Sequence, residues 1–167
     1  MSLTLHLAIH FFFSILAGLL SWAFFGSPIV SLAAGIAGGF FVDLDHWIDY
    51  FIAFGARFDV KSFMKCEQFL KSDKLYLFFH GWEITMIFLA AAIFAQGEWV
   101  RPAINAFAWG MLFHLVSDVF INKGMGFKGY SIFYRMRNGF LAEKIVDPRE
   151  HRKGLARRRE YRLLHKE

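Results

Sequence analysis

Apolar positions gather along this chain into four long runs, and the polar positions between them are short enough to be turns or loops. Roughly 20 apolar residues suffice for a helix to cross a bilayer. By that measure Leu3 to Phe25, Pro28 to about Phe54, Leu75 to Ala95 and Pro102 to Ile121 are spans. Gly26-Ser27-Pro28 reads as a tight turn with proline at a helix start, and Gly97-Glu98 before Arg101-Pro102 repeats the device. The pattern therefore predicts two antiparallel helical hairpins, which makes the fold class all-α: an integral membrane four-helix bundle. In the second run Ala33, Ala34, Gly35, Ala37, Gly38 and Gly39 form a small-residue stretch that lets helices approach closely.

Beyond the last run the pattern changes twice. Residues 123–140 mix Gly124, Gly126 and Gly129 with Phe127, Tyr130, Ile132, Phe133 and Tyr134, which reads as an interfacial or re-entrant flap. Residues 141–167 are mostly polar and read as a helical tail, with seven basic residues between Arg149 and Arg162. The expected organisation is thus a transmembrane domain over 1–122, a flap, and a basic tail.

Composition makes the membrane assignment firm. Of 167 residues 56% are hydrophobic, 22 are Phe, and the mean hydropathy is +0.38, too apolar for an ordinary soluble domain. The first run lacks the basic leading segment and cleavage site of a secretory signal, so it reads as a retained helix. A single cysteine, Cys66, excludes an internal disulfide and any Cys-rich zinc site. Charge then orients the bundle. Of the 19 Lys and Arg, all but Arg101 fall either between Arg57 and Lys74 or after Ile121. By the positive-inside rule those segments, and both termini, are cytoplasmic, with the protein in the inner (cytoplasmic) membrane.

One polar stretch interrupts the second run: Val42-Asp43-Leu44-Asp45-His46-Trp47-Ile48-Asp49. Ionisable groups beside a membrane segment are costly unless paired, hydrated or metal-bound. Each other run carries such groups at a comparable depth. The first has His6 and His10 one turn apart on one face. If the third begins at Leu75, His80 and Glu83 share a face about 8 Å along it. The fourth ends with His114 and Asp118, an i, i+4 pair. Lys and Arg are absent from that level of the runs, so the carboxylates lack a protein counter-ion there. His10, Asp43, Asp45, His46, His80, Glu83, His114 and Asp118 are therefore the candidate ligands of one or more divalent metals, zinc first, with manganese or iron as alternatives.

In this pattern the chain resembles the membrane-bound, metal-dependent hydrolases of the inner-membrane-associated type, a family distantly similar to zinc-dependent phospholipase C. The resemblance covers about residues 5–122. It rests on His10 in the first helix, a small-residue helix ending in Asp43-x-Asp45-His46, His80 opening the third helix, and His114-x-x-x-Asp118 in the fourth. It implies a divalent metal at those positions. Where the family commonly shows two histidines in the third helix, this chain has His80 followed by Glu83.

Such a metal lowers the pKa of bound water toward neutrality and polarises a phosphoryl or acyl oxygen, so hydrolysis is the expected chemistry. Asp45 or Glu83 is the expected general base, with His6 or His46 orienting a ligand or moving a proton. The expected substrate is a lipid phosphoester or another anionic amphiphile. Membrane lipids are the expected partners, with anionic headgroups at the basic tail and a homo-oligomer or protein partner open. Nucleic acid is disfavoured, because no aromatic interleaving accompanies the basic run. Two rivals stand beside the hydrolase: a di-iron membrane oxidase, and a non-enzymatic membrane subunit or carrier with a structural or transported metal.

Overall fold

A computed structural model of the protein describes residues 3–122 and 124–165. The described residues are helical apart from turns, a non-helical segment over 75–81 and one isolated bridge between Lys74 and Leu141. Three elements make the bundle: α1 (Leu3–Phe25), α2 (Pro28–Phe41) continued after a turn by α3 (Leu44–Phe54), and α7 (Val100–Ile121). Short helices α4 (Val60–Met64) and α5 (Glu67–Ser72) precede α6 (Trp82–Phe94), which lies along α7.

The small residues of α2 explain how tightly the bundle closes. A Cβ added at Gly110 of α7 would stand 2.5 Å from the Gly35 carbonyl oxygen, and one added at Gly35 would stand 2.6 Å from the Gly18 nitrogen of α1. Backbones at that separation exclude any larger side chain, the expected device where lipid offers no hydrophobic drive for helix association. Ser21 Oγ donates to the Pro102 carbonyl at 2.7 Å, tying α1 to α7 across the core. Large apolar side chains instead face outward, among them Phe12, Phe24, Ile29, Ile87, Phe94 and Phe120. Three segments, Leu5–Phe25, Pro28–Phe54 and Val100–Ile121, are long and apolar enough to cross a membrane. Half of the α7 window is buried against about a third or less in the other two, so α7 is the central helix.

The third run differs from expectation. Leu75 to Gly81 is not helical; α6 begins only at Trp82 and has 13 residues. At 1.5 Å per residue that is about 20 Å, short of a full crossing on its own. The cause lies in where the backbone groups of this segment bond. Asp49 Oδ2 accepts the Tyr76 N–H at 3.3 Å and Asp45 Oδ2 accepts the His80 N–H at 2.7 Å. Arg135 donates to the Leu77 carbonyl at 2.6 Å and to the His80 carbonyl at 3.1 Å. Groups that a helix would pair internally are already engaged.

Ser27 Oγ donates to the Glu98 carbonyl at 3.1 Å, so the α1–α2 turn and the loop before α7 lie side by side at one end of the bundle. At the other end the chain after α7 folds back as α8 (Gly126–Gly129), α9 (Ile132–Arg137) and α10 (Ala142–Ile145). This stretch packs under the extended segment, with the Trp82 N–H bonded to the Tyr130 carbonyl at 3.0 Å. Finally α11 (Pro148–His165) docks on α5: Arg158 donates to the Phe69 and Leu70 carbonyls and pairs with Asp73.

Candidate metal centre

The site is built where α1, the α2–α3 turn, the extended segment and α7 meet. His6 and His10 project from one face of α1 as their spacing requires, and Asp118 lies one turn beyond His114 on α7. The turn at Val42-Asp43 frees Asp43 from a continuous helix, and α3 then carries Asp45, His46 and Asp49. His10, Asp45, His80, His114 and Asp118 are buried, while Asp43 and His46 are half-buried toward a cavity.

Two carboxylates face the imidazoles. Asp118 Oδ1 lies 3.2 Å from His10 Nε2 and 3.7 Å from His6 Nε2. Its Oδ2 lies 3.6 Å from both His80 Nε2 and His114 Nε2. Asp43 Oδ1 lies 3.6 Å from His114 Nε2 and 3.7 Å from both His80 Nε2 and His46 Nε2. Three overlapping triads follow, each with mutually close donor atoms: His6, His10 and Asp118; His80, His114 and Asp118; Asp43, His46 and His80.

The opposite ring nitrogens determine what these atoms offer. His114 Nδ1 lies 2.7 Å from the Gly39 carbonyl, which only accepts, so Nδ1 carries the hydrogen. His80 Nδ1 donates likewise to Asp45 Oδ2 at 3.1 Å. Ser117 Oγ gives its one hydrogen to the His114 carbonyl, so it accepts from His10 Nδ1 at 3.2 Å. The Nε2 lone pairs of His80 and His114 therefore face the carboxylates, while that of His10, 3.2 Å from Asp118 Oδ1, accepts a hydrogen from His6 Nε2 at 2.8 Å. His114 Nε2 and Asp118 Oδ1, both buried, have no hydrogen-bond partner among the described residues. Lone pairs so gathered repel one another until a cation stands between them, and imidazole with carboxylate is the donor set of zinc, manganese and iron. The His rings are held from behind in the manner usual for metal ligands. The residues present fit a divalent metal.

Not every expected residue joins this set. Asp45 is at the site but turned away from the cavity, its Oδ2 occupied by the backbone and ring of His80. Glu83 is not brought there. Because α6 starts at Trp82, its carboxylate points along the flap, accepting from Ser131 Oγ at 2.6 Å and from the Ile132 and Phe133 N–H groups at the start of α9. Nor is the level free of basic side chains, as expected from the four runs. Arg135 is buried beneath the extended segment, bonded to three carbonyls, and its charge acts on Asp45, Asp49 and Glu83. No local spacing signals Arg135, which arrives from a segment 55 residues past His80. Asp49 was detectable: it follows Asp45 by four residues, on the same helical face.

A cavity of about 810 Å3 opens from the cluster, bordered by Asp43, His46, His80 and Asp118 and by apolar side chains of the 57–77 region. Fold and site together define an all-helical protein, with three helices able to span a membrane and a His/Asp cluster at one end of its bundle. No family model, curated protein or solved structure matches this chain.

Proposed function

We propose that the protein is a metal-dependent hydrolase of the inner membrane, acting on a phosphoester of a lipid or a similar anionic amphiphile at the cytoplasmic interface. One observation carries the reading: the Nε2 lone pairs of His80 and His114 converge on two carboxylates, with the His6–His10 pair beside one of them, while the Nδ1 sides of His10, His80 and His114 are tied down. His10, His80, His114, Asp43 and Asp118 hold the metal in this reading. The two oxygens of Asp118 face different imidazole pairs, which suits a carboxylate shared between two metal positions. A bound divalent cation supplies an acidified water and a Lewis acid for the phosphoryl oxygen.

The chain's own groups divide the remaining work. Asp45 orients His80 rather than acting as the base, because it is buried outside the cavity lining with Oδ2 engaged by His80. His46 faces the cavity with Nε2 beside Asp43, and it takes the proton-transfer role first expected of Asp45 or Glu83. Arg135 fixes the segment that carries His80.

Four crossings complete the proposal, with residues 75–94 as the third. The side-by-side placement of the 26–27 turn and the 95–99 loop supports it, since the chain must travel the length of the bundle between His80 and Glu98. Both termini then lie on the cytoplasmic side with 18 of the 19 basic residues.

Elemental analysis of the purified protein, followed by release of phosphate from short-chain lipid phosphoesters, tests the reading. Zinc or manganese with turnover is expected. Iron would favour the oxidase, and bound metal without turnover on any phosphoester would favour a carrier or structural role.

A further inference from the structure

The walls of the 810 Å3 cavity differ in chemistry. The metal cluster stands on one side, and Trp47, Phe63 and Phe69 provide an apolar lining. Among the described residues Arg157 of α11 is the only Lys or Arg that borders it. How it comes to be there is plain from its neighbour. Arg158 anchors α11 through the Phe69 and Leu70 carbonyls and Asp73, and His151 Nε2 adds a contact to Asp73 at 3.6 Å. Arg157 is left exposed at the rim. Its one hydrogen bond, to the Lys65 carbonyl, is long at 3.5 Å, and among the described residues no ion pair engages it. A guanidinium held by no more than this long bond, beside an apolar lining, matches an amphiphile with an anionic head.

We propose that Arg157 is a specificity determinant of the substrate cavity, pairing with an anionic headgroup oxygen of a lipid phosphoester whose acyl portion lies along Trp47, Phe63 and Phe69. This rests on the metal-site reading for the chemistry, but not for the binding. It also revises the role of the tail. The helix α11 supplies Arg157 to the cavity rim, whereas its bulk positive charge alone would make it a mere attachment to anionic membrane.

The experiment uses the full chain in uncharged detergent and isothermal titration with three probes: dihexanoyl phosphatidic acid, dihexanoylglycerol and inorganic phosphate. Arg157→Gln is compared with Arg159→Gln, an equal charge change at an exposed position that does not border the cavity. Arg157→Gln should weaken phosphatidic acid binding about five- to tenfold, the size of one lost charge-assisted bond at an exposed rim. Dihexanoylglycerol binding should be unchanged, and Arg159→Gln should stay within about twofold of the parent. Equal losses in the two variants would reduce the tail to bulk charge and overturn the proposal. Inorganic phosphate binding as tightly as phosphatidic acid would overturn the lipid assignment. Metal content is measured on every sample. A parent without metal refutes the metal-site reading while leaving the comparison between variants intact, because Arg157 is no ligand.

Discussion

Asp118 is the side chain on which the cluster turns, since each of its oxygens faces a different pair of imidazoles. Replacing it with Asn keeps the shape, removes the charge, and substitutes a donor for one acceptor. Asp118→Asn should therefore lose bound metal by elemental analysis, and a parental content would remove it from the ligand set. Asp45→Asn should behave differently, since Asp45 acts through His80. Loss of such an orienting carboxylate typically weakens metal binding about ten- to a hundredfold without abolishing it. Competition with a chromogenic chelator measures the shift; an unchanged affinity would show that His80 needs no orientation. Glu83 provides the contrast. Its carboxylate caps α9, so Glu83→Ala should leave metal content intact and cost about 1 kcal/mol of stability, read as a lowered melting temperature. Metal loss in that variant would return Glu83 to the site.

At the scale of elements, the success and failure of sequence reading have one physical origin. His6, His10, His114 and Asp118 sit on uninterrupted helices, where a spacing of four residues fixes a shared face, and the structure brings them together as that geometry requires. Glu83 lies apart from the cluster because α6 begins at Trp82 and not at Leu75. Nothing local says that Tyr76 and His80 give their N–H groups to Asp49 and Asp45, or that Arg135 takes the carbonyls between. These are contacts across 27 to 58 residues, and they outweigh an apolar pattern that would otherwise continue the helix. The docking of α11 was hidden for the same reason, and it is pH-dependent. Burial opposes ionisation of Asp73, but the hydrogen bond and charge of Arg158, with His151, prevail and hold the carboxyl below its ordinary value. A depressed folded value means that the pair stabilises docking above the ordinary carboxylate range and is lost as pH falls through the folded value. Dyes on Cys66 and on an introduced Glu160→Cys should stay close at neutral pH and separate only once pH falls below the ordinary carboxylate range. Metal-free protein at pH 7 controls for loss of the cluster. Energy transfer that ignores pH would remove Asp73 as the latch.

At the scale of the whole molecule, the arrangement gathers the His/Asp cluster and the cavity at one end. The cluster, cavity, flap and α11 all lie away from the turns at residues 26–27 and 95–99, which Ser27 and Glu98 join. A single-sided layout of this kind suits a substrate that enters from one face of a membrane, and the charges agree: Arg101, packed on Phe25, alone among the described Lys and Arg lies near the turn end. The topology is the point most open to refutation, because α6 with 13 residues is short for a crossing. The non-helical segment 75–81 precedes it, and Arg135 with the two aspartates satisfies part of the backbone there. Residues 75–94 should thus carry the chain across. In a Cys66→Ala background, a cysteine at Glu98 should react with a membrane-impermeant maleimide only from the outer side, and one at Glu160 only from the cytoplasmic side. Reaction of both from the same side would mean that residues 75–94 or one neighbouring segment does not cross, and the proposed cytoplasmic placement of the cluster would fall with it.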